Sequence, residues 1–311
     1  PIAHSSTIKN TYIDYVFEEK EYQNLVRSGR NWIGDYVSAN LMNRSYALSL
    51  PGYVIGSPIQ FTSSVVGASS TNSAQLSLSL DEQSFFGIHT LTPIGNGRYD
   101  RRGNTSMHTF TTQATRPNPT LRYVFQGTQG GAYIDYWAVQ FERTLSFGEK
   151  QTLVRLPPDT QPYRLPIQGQ IPTDAQVWDI TQPFEPTELS QIAYLAHEGE
   201  GNKTYLLFTN SQVQEIPSCK PIEIQPFPDI ENDIQLVLIS PKNWIDQAER
   251  LQKQREKEGI LGVIWDLESV YAHFSGGLPD PTAIRNVARW YWNKRPESFK
   301  YLQLQGDSTK Y

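Results

Sequence analysis

The sequence predicts two kinds of fold in one multidomain chain: an all-β, antiparallel, sandwich-like amino-terminal region, then a partial α/β parallel three-layer unit of the order β-α-β-α-β. Three observations predict it. Between Ser45 and Arg155, short runs alternate apolar and polar residues and are broken by Gly, Asn, Ser and Pro. From Pro157 to Pro228, proline recurs at eleven positions, which forbids helix. After Asp233 the pattern changes to continuous apolar runs and helical spacing. With 311 residues the prior is about two domains. The text divides as a β-rich domain over 1–156, a Pro-punctuated β subdomain or linker over 157–228, and the start of an incomplete α/β domain over 229–311.

The clearest strand is Ala74 to Leu80, where every second residue is apolar, so one face is expected on a core and the other in solvent. Leu121 to Gln126 and Tyr133 to Phe141 flank Gly127 to Gly131, whose glycines suit a β-hairpin. Tyr133, Trp137 and Phe141 are expected on one face, in the core. Gln151 to Leu156 adds a strand. Short apolar runs at Val177 to Ile180 and Tyr205 to Phe208 are the strands of the proline-punctuated span.

Ile234 to Ile239 is apolar without alternation, the mark of a strand buried on both faces. Asn243 is a candidate cap, Asp246 suits the first turn of a helix, and Gly259 ends it. On that helix Trp244, Ala248, Leu251 and Arg255 share a face. Leu261 to Trp265 is the second strand. Asp280 caps a helix with Pro281 in its first position, and Ile284, Val287, Ala288 and Tyr291 recur at helical spacing until Pro296. Lys300 to Gln305 is the third strand, so the crossovers are expected to be right-handed. Three strands are half of a doubly wound domain, and the expectation is of further residues after Tyr311 to cover the edge.

With 27 basic and 32 acidic residues and no long run of like charge, a nucleic-acid partner is excluded. No stretch of eighteen apolar residues exists, so no membrane span is expected. Hydrophobic residues at 38% exclude disorder of the whole. The chain opens Pro1-Ile2-Ala3-His4 without a charged-then-apolar leader, so the expectation is of an export signal already removed or outside the sequence.

Ligands of an open parallel sheet bind beyond the carboxyl ends of its strands, here Ser240, Asp266 and Gly306-Asp307. Asp307, with Asp266, is the candidate strand-mouth site or metal ligand, set against an Asp that only turns the chain. Ser275 to Pro279 could cradle a phosphate, but it lacks the spacing of either glycine-rich fingerprint and reads better as a crossover loop. Cys219 is the single thiol, beside Lys220, with no neighbouring His to activate it. His4, His89, His108, His197 and His273 show no metal-binding spacing and read as surface or hydrogen-bonded side chains. No G-x-S-x-G elbow is present.

Four blocks of the tail, in order, carry a resemblance: Ile239-Ser240-Pro241 with Trp244 to Gly259; Ser269 to Gly277; Asp280-Pro281-Thr282-Ala283-Ile284-Arg285; and Lys300 to Asp307. They resemble the start of the gingipain-type cysteine peptidase domain. Within that family they are most similar to the sortase of the bacterial type IX secretion system. Ser28 to Asp35 and Val177 to Thr181 fit the same type, whereas Gln303, Gln305 and Ser308-Thr309 depart from it. The resemblance implies a thiolate nucleophile, a proton-moving histidine and backbone amides for the oxyanion. It also implies exported cargo as protein substrate, other secretion components as partners, and a place at the bacterial cell surface, on the outer membrane or in the periplasm. In the family both catalytic residues follow the strand ending at Gly306-Asp307, so none is carried over. Asp280, Pro281, Ile284, Arg285, Gly306 and Asp307 match the motif only. No cofactor is expected, and calcium stays open. Two rival readings remain: a surface adhesin or glycan-binding β module, on the strength of 7 Trp and 17 Tyr, and a nucleotide- or flavin-binding α/β unit.

Overall fold

A computed structural model of the chain describes residues 7–25, 31–68, 73–216, 218, 221, 223–227 and 233–306. Two compact units are present, Pro1–Glu215 and Ile216–Tyr311. The first opens with β1 (Thr11–Glu19), β2 (Gln23–Asn24), β3 (Trp32–Ile33), β4 (Tyr36–Ser38), β5 (Asn43–Ala47) and β6 (Ile59–Gly67). It continues with β7 (Ala74–Leu80), β8 (Gly87–Leu91), β9 (Asn104–Thr112), β10 (Thr120–Gln126) and β11 (Gly131–Thr144). One sheet has the order β1-β11-β6-β9 with β4 added to β11, and the other β5-β10-β7-β8, all antiparallel. Their inner faces bury Phe61, Val65, Leu76, Leu78, Tyr123, Phe125, Val139 and Phe141 in one core, as a sandwich requires.

Three expectations are corrected within this sandwich. The segment Gly127 to Gly131 is not a hairpin turn: β10 pairs with β5 and β7, β11 with β1, β4 and β6, so the chain arches from one sheet to the other. Glycine and alternation serve an arch as well as a hairpin. The second face of β7 is not solvated, because Ser77 and Ser79 are buried. These short side chains stand opposite Val124, Ile88 and Arg122 on the flanking strands, which shade them. Tyr133 is only partly buried, its ring tilted against that of Tyr36 at 4.7 Å, whereas Trp137 and Phe141 are buried. A β-bulge between Ile134 and Tyr136 shifts the phase of β11, so Ala132 and Ile134 point inward before it and Trp137, Val139 and Phe141 after it.

The first unit ends with β12 (Thr152–Leu156), β13 (Tyr163–Pro166), β14 (Ala175–Asp179), β15 (Thr187–Glu188), β16 (Tyr194–His197) and β17 (Lys203–Thr209). A sheet β12-β17-β14-β15 and the pair β13-β16 enclose a second core around Val154, Leu165, Val177, Leu195 and Leu207. Thus β12 pairs with β17, a strand of the proline-punctuated span, rather than with the sandwich.

The second unit contains β18 (Leu236–Ser240), α1 (Ile245–Lys257), β19 (Gly262–Asp266), α2 (Leu267–Ser275), α3 (Pro281–Lys294) and β20 (Tyr301–Leu304). Its sheet is parallel in the order β19-β18-β20, and β18, the middle strand, is buried at every residue. Helix α1 starts one residue later than Asn243 suggested, with Trp244 in the cap position. A 3-10 turn, Lys242–Trp244, precedes it, and no side chain caps its first turn. Trp244 is accordingly 40% exposed, and Ile245 takes its place beside buried Ala248. The second crossover holds two helices, not one, because Ser269 to Gly277 is α2 and its left-handed Gly276 cap. Helix α3 is as expected, with Asp280 as cap and Pro281 in the first turn.

Candidate functional site

The strand mouths of the parallel sheet are built from short polar residues that their own elements consume. Ser240 is fully buried and donates to the Pro241 carbonyl at 3.1 Å. Asp266 closes β19 and caps α2: one carboxylate oxygen accepts the Ser269 N–H at 2.9 Å, the other the Ser269 hydroxyl at 2.6 Å. That hydroxyl in turn accepts the Gln225 N–H at 2.7 Å, so Ser269 both donates and accepts within the cap.

Gln225, which the sequence reading did not single out, organises this corner. Its Nε2 donates to the Ile264 carbonyl at 2.8 Å and its Oε1 accepts the Asp266 N–H at 3.2 Å. One side-chain amide thereby satisfies the donor and acceptor that a further strand would meet on the outer edge of β19. His273 Nε2 donates to the Gln225 carbonyl at 2.8 Å. Phe227 then lies 4.4 Å from the His273 ring, 5.6 Å from Trp265 and 5.2 Å from Trp290. The sequence signal for this strap is its prolines, Pro221 and Pro226, which hold a segment extended without needing ladder bonds.

A cavity of about 360 Å³ lies over Asp266, lined also by Gln225, Lys242, Ile245, Glu249 and Ile264. It contains a cation and two carboxylates but no thiol, hydroxyl or imidazole in its wall. Among the described residues, no three His, Cys, Asp or Glu side chains are placed to hold a metal ion. Asp307, Cys219 and His4 lie outside the described residues.

The motif residues have structural work. Asp280 Oδ1 accepts the Thr282 N–H at 2.7 Å, Pro281 opens α3, Ile284 packs on the core of this unit, and Arg285 is exposed. Gly306 leaves β20 at φ +139°, a conformation that favours glycine, where a Cβ would meet the Trp244 ring at 3.7 Å. The Ser275 to Pro279 loop is no phosphate cradle: the Gly277 amide is spent on the Tyr271 carbonyl at 2.9 Å, and the loop leaves the negative end of a helix.

The remaining histidines hold up the β-rich unit. His89 is buried between Ser106 Oγ and Ser63 Oγ, each at 3.0 Å, and Ser63 meets the Tyr123 hydroxyl at 2.8 Å. Burial, then the neighbouring His108, push the His89 imidazole down to about 4. His197 is buried, stacks on Tyr163 at 5.0 Å and accepts the Gly199 N–H at Nδ1.

With this geometry in view, comparison with known proteins gives two findings that bear on the fold. Residues 229–311 match the model of peptidase family C25. Over 97% of its length the chain is similar to the crystal structure of dimeric latent PorU from Porphyromonas gingivalis, with a TM-score of 0.73 and 19% identity. It spans 30% of that PorU chain. The carboxyl-terminal family 6 carbohydrate-binding module of LamC from Zobellia galactanivorans matches 42% of this chain at 14% identity and a TM-score of 0.25, covering 98% of its own. A family 35 carbohydrate-binding module from Clostridium thermocellum matches 42% at 13% identity and 0.23, covering 90% of its own. Similarity that slight carries no argument. No curated protein matches the sequence.

Proposed function

We propose, on the premise that the carboxyl-terminal unit carries a peptidase family C25 region and the chain has the fold of part of PorU, that this protein is the amino-terminal part of a gingipain-like cysteine peptidase. Its activity would be that of the type IX secretion sortase, removing carboxyl-terminal signals from exported cargo at the bacterial surface, on the outer membrane or in the periplasm. Within that enzyme these residues support and place the catalytic part rather than perform its chemistry. Secretion components would meet them as partners.

One observation carries the reading: among the described residues, the parallel β19-β18-β20 sheet has one edge met by Gln225 and no strand paired to the other, β20. On that edge Tyr301, Leu302 and Leu304 are exposed, apolar residues on both faces of β20. Such an edge suits a sheet that goes on. The spent carboxylate of Asp266 and hydroxyl of Ser269 support a supporting role for the described strand mouths. Among the described residues, no helix is long and apolar enough to cross a membrane. Reading the coding sequence past Tyr311 tests the proposal: the frame is expected to continue with further strands, a histidine and a cysteine. A stop codon directly after Tyr311 would contradict it.

A further inference from the structure

The β-sandwich carries a cavity of about 460 Å³ that no step of peptide cleavage calls for. Trp32 and Tyr136 supply its flat apolar wall, and Glu19, Glu21 and Asp135 supply carboxylates. Arg101 and Arg102 add two cationic residues to the lining. The β11 bulge sets Asp135 and Tyr136, consecutive residues, on the same cavity, and the Ser64 hydroxyl donates to one Asp135 oxygen at 2.8 Å. Among the described residues, neither arginine forms an ion pair with these carboxylates, although both line the same space.

An aromatic strip runs into this cavity along the outer face of the sheet. Tyr15 and Phe17 stand on the same face of β1 as Glu19 and are 47% and 49% exposed. The Phe17 ring lies 5.7 Å from that of Tyr136, which is itself a cavity wall. Exposed rings in a row are costly in water unless something covers them.

The lining selects among occupants. A cationic peptide side chain would be drawn by the carboxylates and repelled by Arg101 and Arg102, and an anion would meet the reverse. A sugar hydroxyl satisfies both, because one oxygen donates to a carboxylate while accepting from a guanidinium, and the C–H face of the ring packs on an aromatic wall. We infer that the cavity and the Tyr15–Phe17–Tyr136 strip together bind a neutral glycan chain, a few sugar rings lying along the strip and one seated in the cavity. Partial burial, then the neighbouring Asp135 and Glu21, raise the Glu19 carboxyl above its ordinary value, so it bears its charge less readily.

The test is binding of the 311-residue chain to immobilised neutral, uronic-acid and sulfated oligosaccharides and to an oligolysine peptide, with solution titration of every hit. A neutral glycan is expected to bind, and Tyr136→Ala and Glu19→Gln are each expected to weaken it about tenfold without altering the melting temperature. Phe17→Ala, at an exposed position, serves the same purpose should Tyr136→Ala fail to fold. Retention of no neutral glycan, equal binding by wild type and folded variants, or binding only to the sulfated, uronic or lysine probes would overturn the inference.

Discussion

At the scale of single residues, the imidazole of His89 makes the most direct claim. In the unfolded chain it takes up a proton near the ordinary imidazole value of 6.5, whereas in the sandwich it does so only near 4. The folded state therefore binds fewer protons between those values. The contribution of His89 is complete above about pH 6.5 and is lost progressively as pH falls toward 4, up to about 3 kcal/mol. Urea unfolding of the chain at pH 7 and pH 4.5 is expected to show this loss, and His89→Gln to flatten it. Gln225 makes a second claim. Gln225→Ala leaves the Ile264 carbonyl and the Asp266 N–H without their side-chain partner, a cost of about 1–3 kcal/mol, and hydrogen exchange at the Asp266 amide is expected to quicken. The sequence marked Asp266 through the strand-mouth rule and left His89 as either a surface or a hydrogen-bonded side chain, of which the structure selects the buried, hydrogen-bonded one. It could not mark Gln225, whose partners lie 39 to 48 positions away and whose residue type fits any loop.

At the scale of elements, alternation and breakers located most strands, and cap chemistry located α3. Asp280→Ala is expected to cost about 1 kcal/mol of stability, read as a shift in the urea midpoint. Pairing was less legible than existence. A glycine-rich turn between two alternating strands is compatible with a hairpin or an arch, and only the opposite sheets of β10 and β11 decide it. The bulge at Asp135 was invisible for a related reason: one extra residue changes which side chains face inward without changing their types. It makes a sharp contrast testable. Trp137→Ala is expected to cost about 3–5 kcal/mol and Tyr133→Ala about 1 kcal/mol or less in the same assay. Equal losses would contradict the assignment of faces.

At the scale of the whole molecule, two units divide the labour. The β-rich unit holds two apolar cores and a polar cavity with aromatic residues in its lining, and the α/β unit holds a parallel sheet with Gln225 on one edge and, among the described residues, no strand on the other. The change in sequence period after Asp233 made the α/β unit and its parallel β-α-β-α-β succession readable, though not the spatial order of its strands, and the tail blocks made its resemblance readable. The extra helix α2 was not read because the stretch between Trp265 and Asp280 was marked only by the glycines of Ser275 to Pro279, of which Gly276 proves to be a helix cap. The central claim is that these residues scaffold a cysteine peptidase without containing its active centre. It is tested most directly by incubating the purified chain, under reducing conditions, with a fluorogenic peptide library and a thiol-directed activity probe. The account predicts no cleavage above buffer and no difference between wild type and Cys219→Ala. Thiol-dependent cleavage that disappears in Cys219→Ala would contradict it.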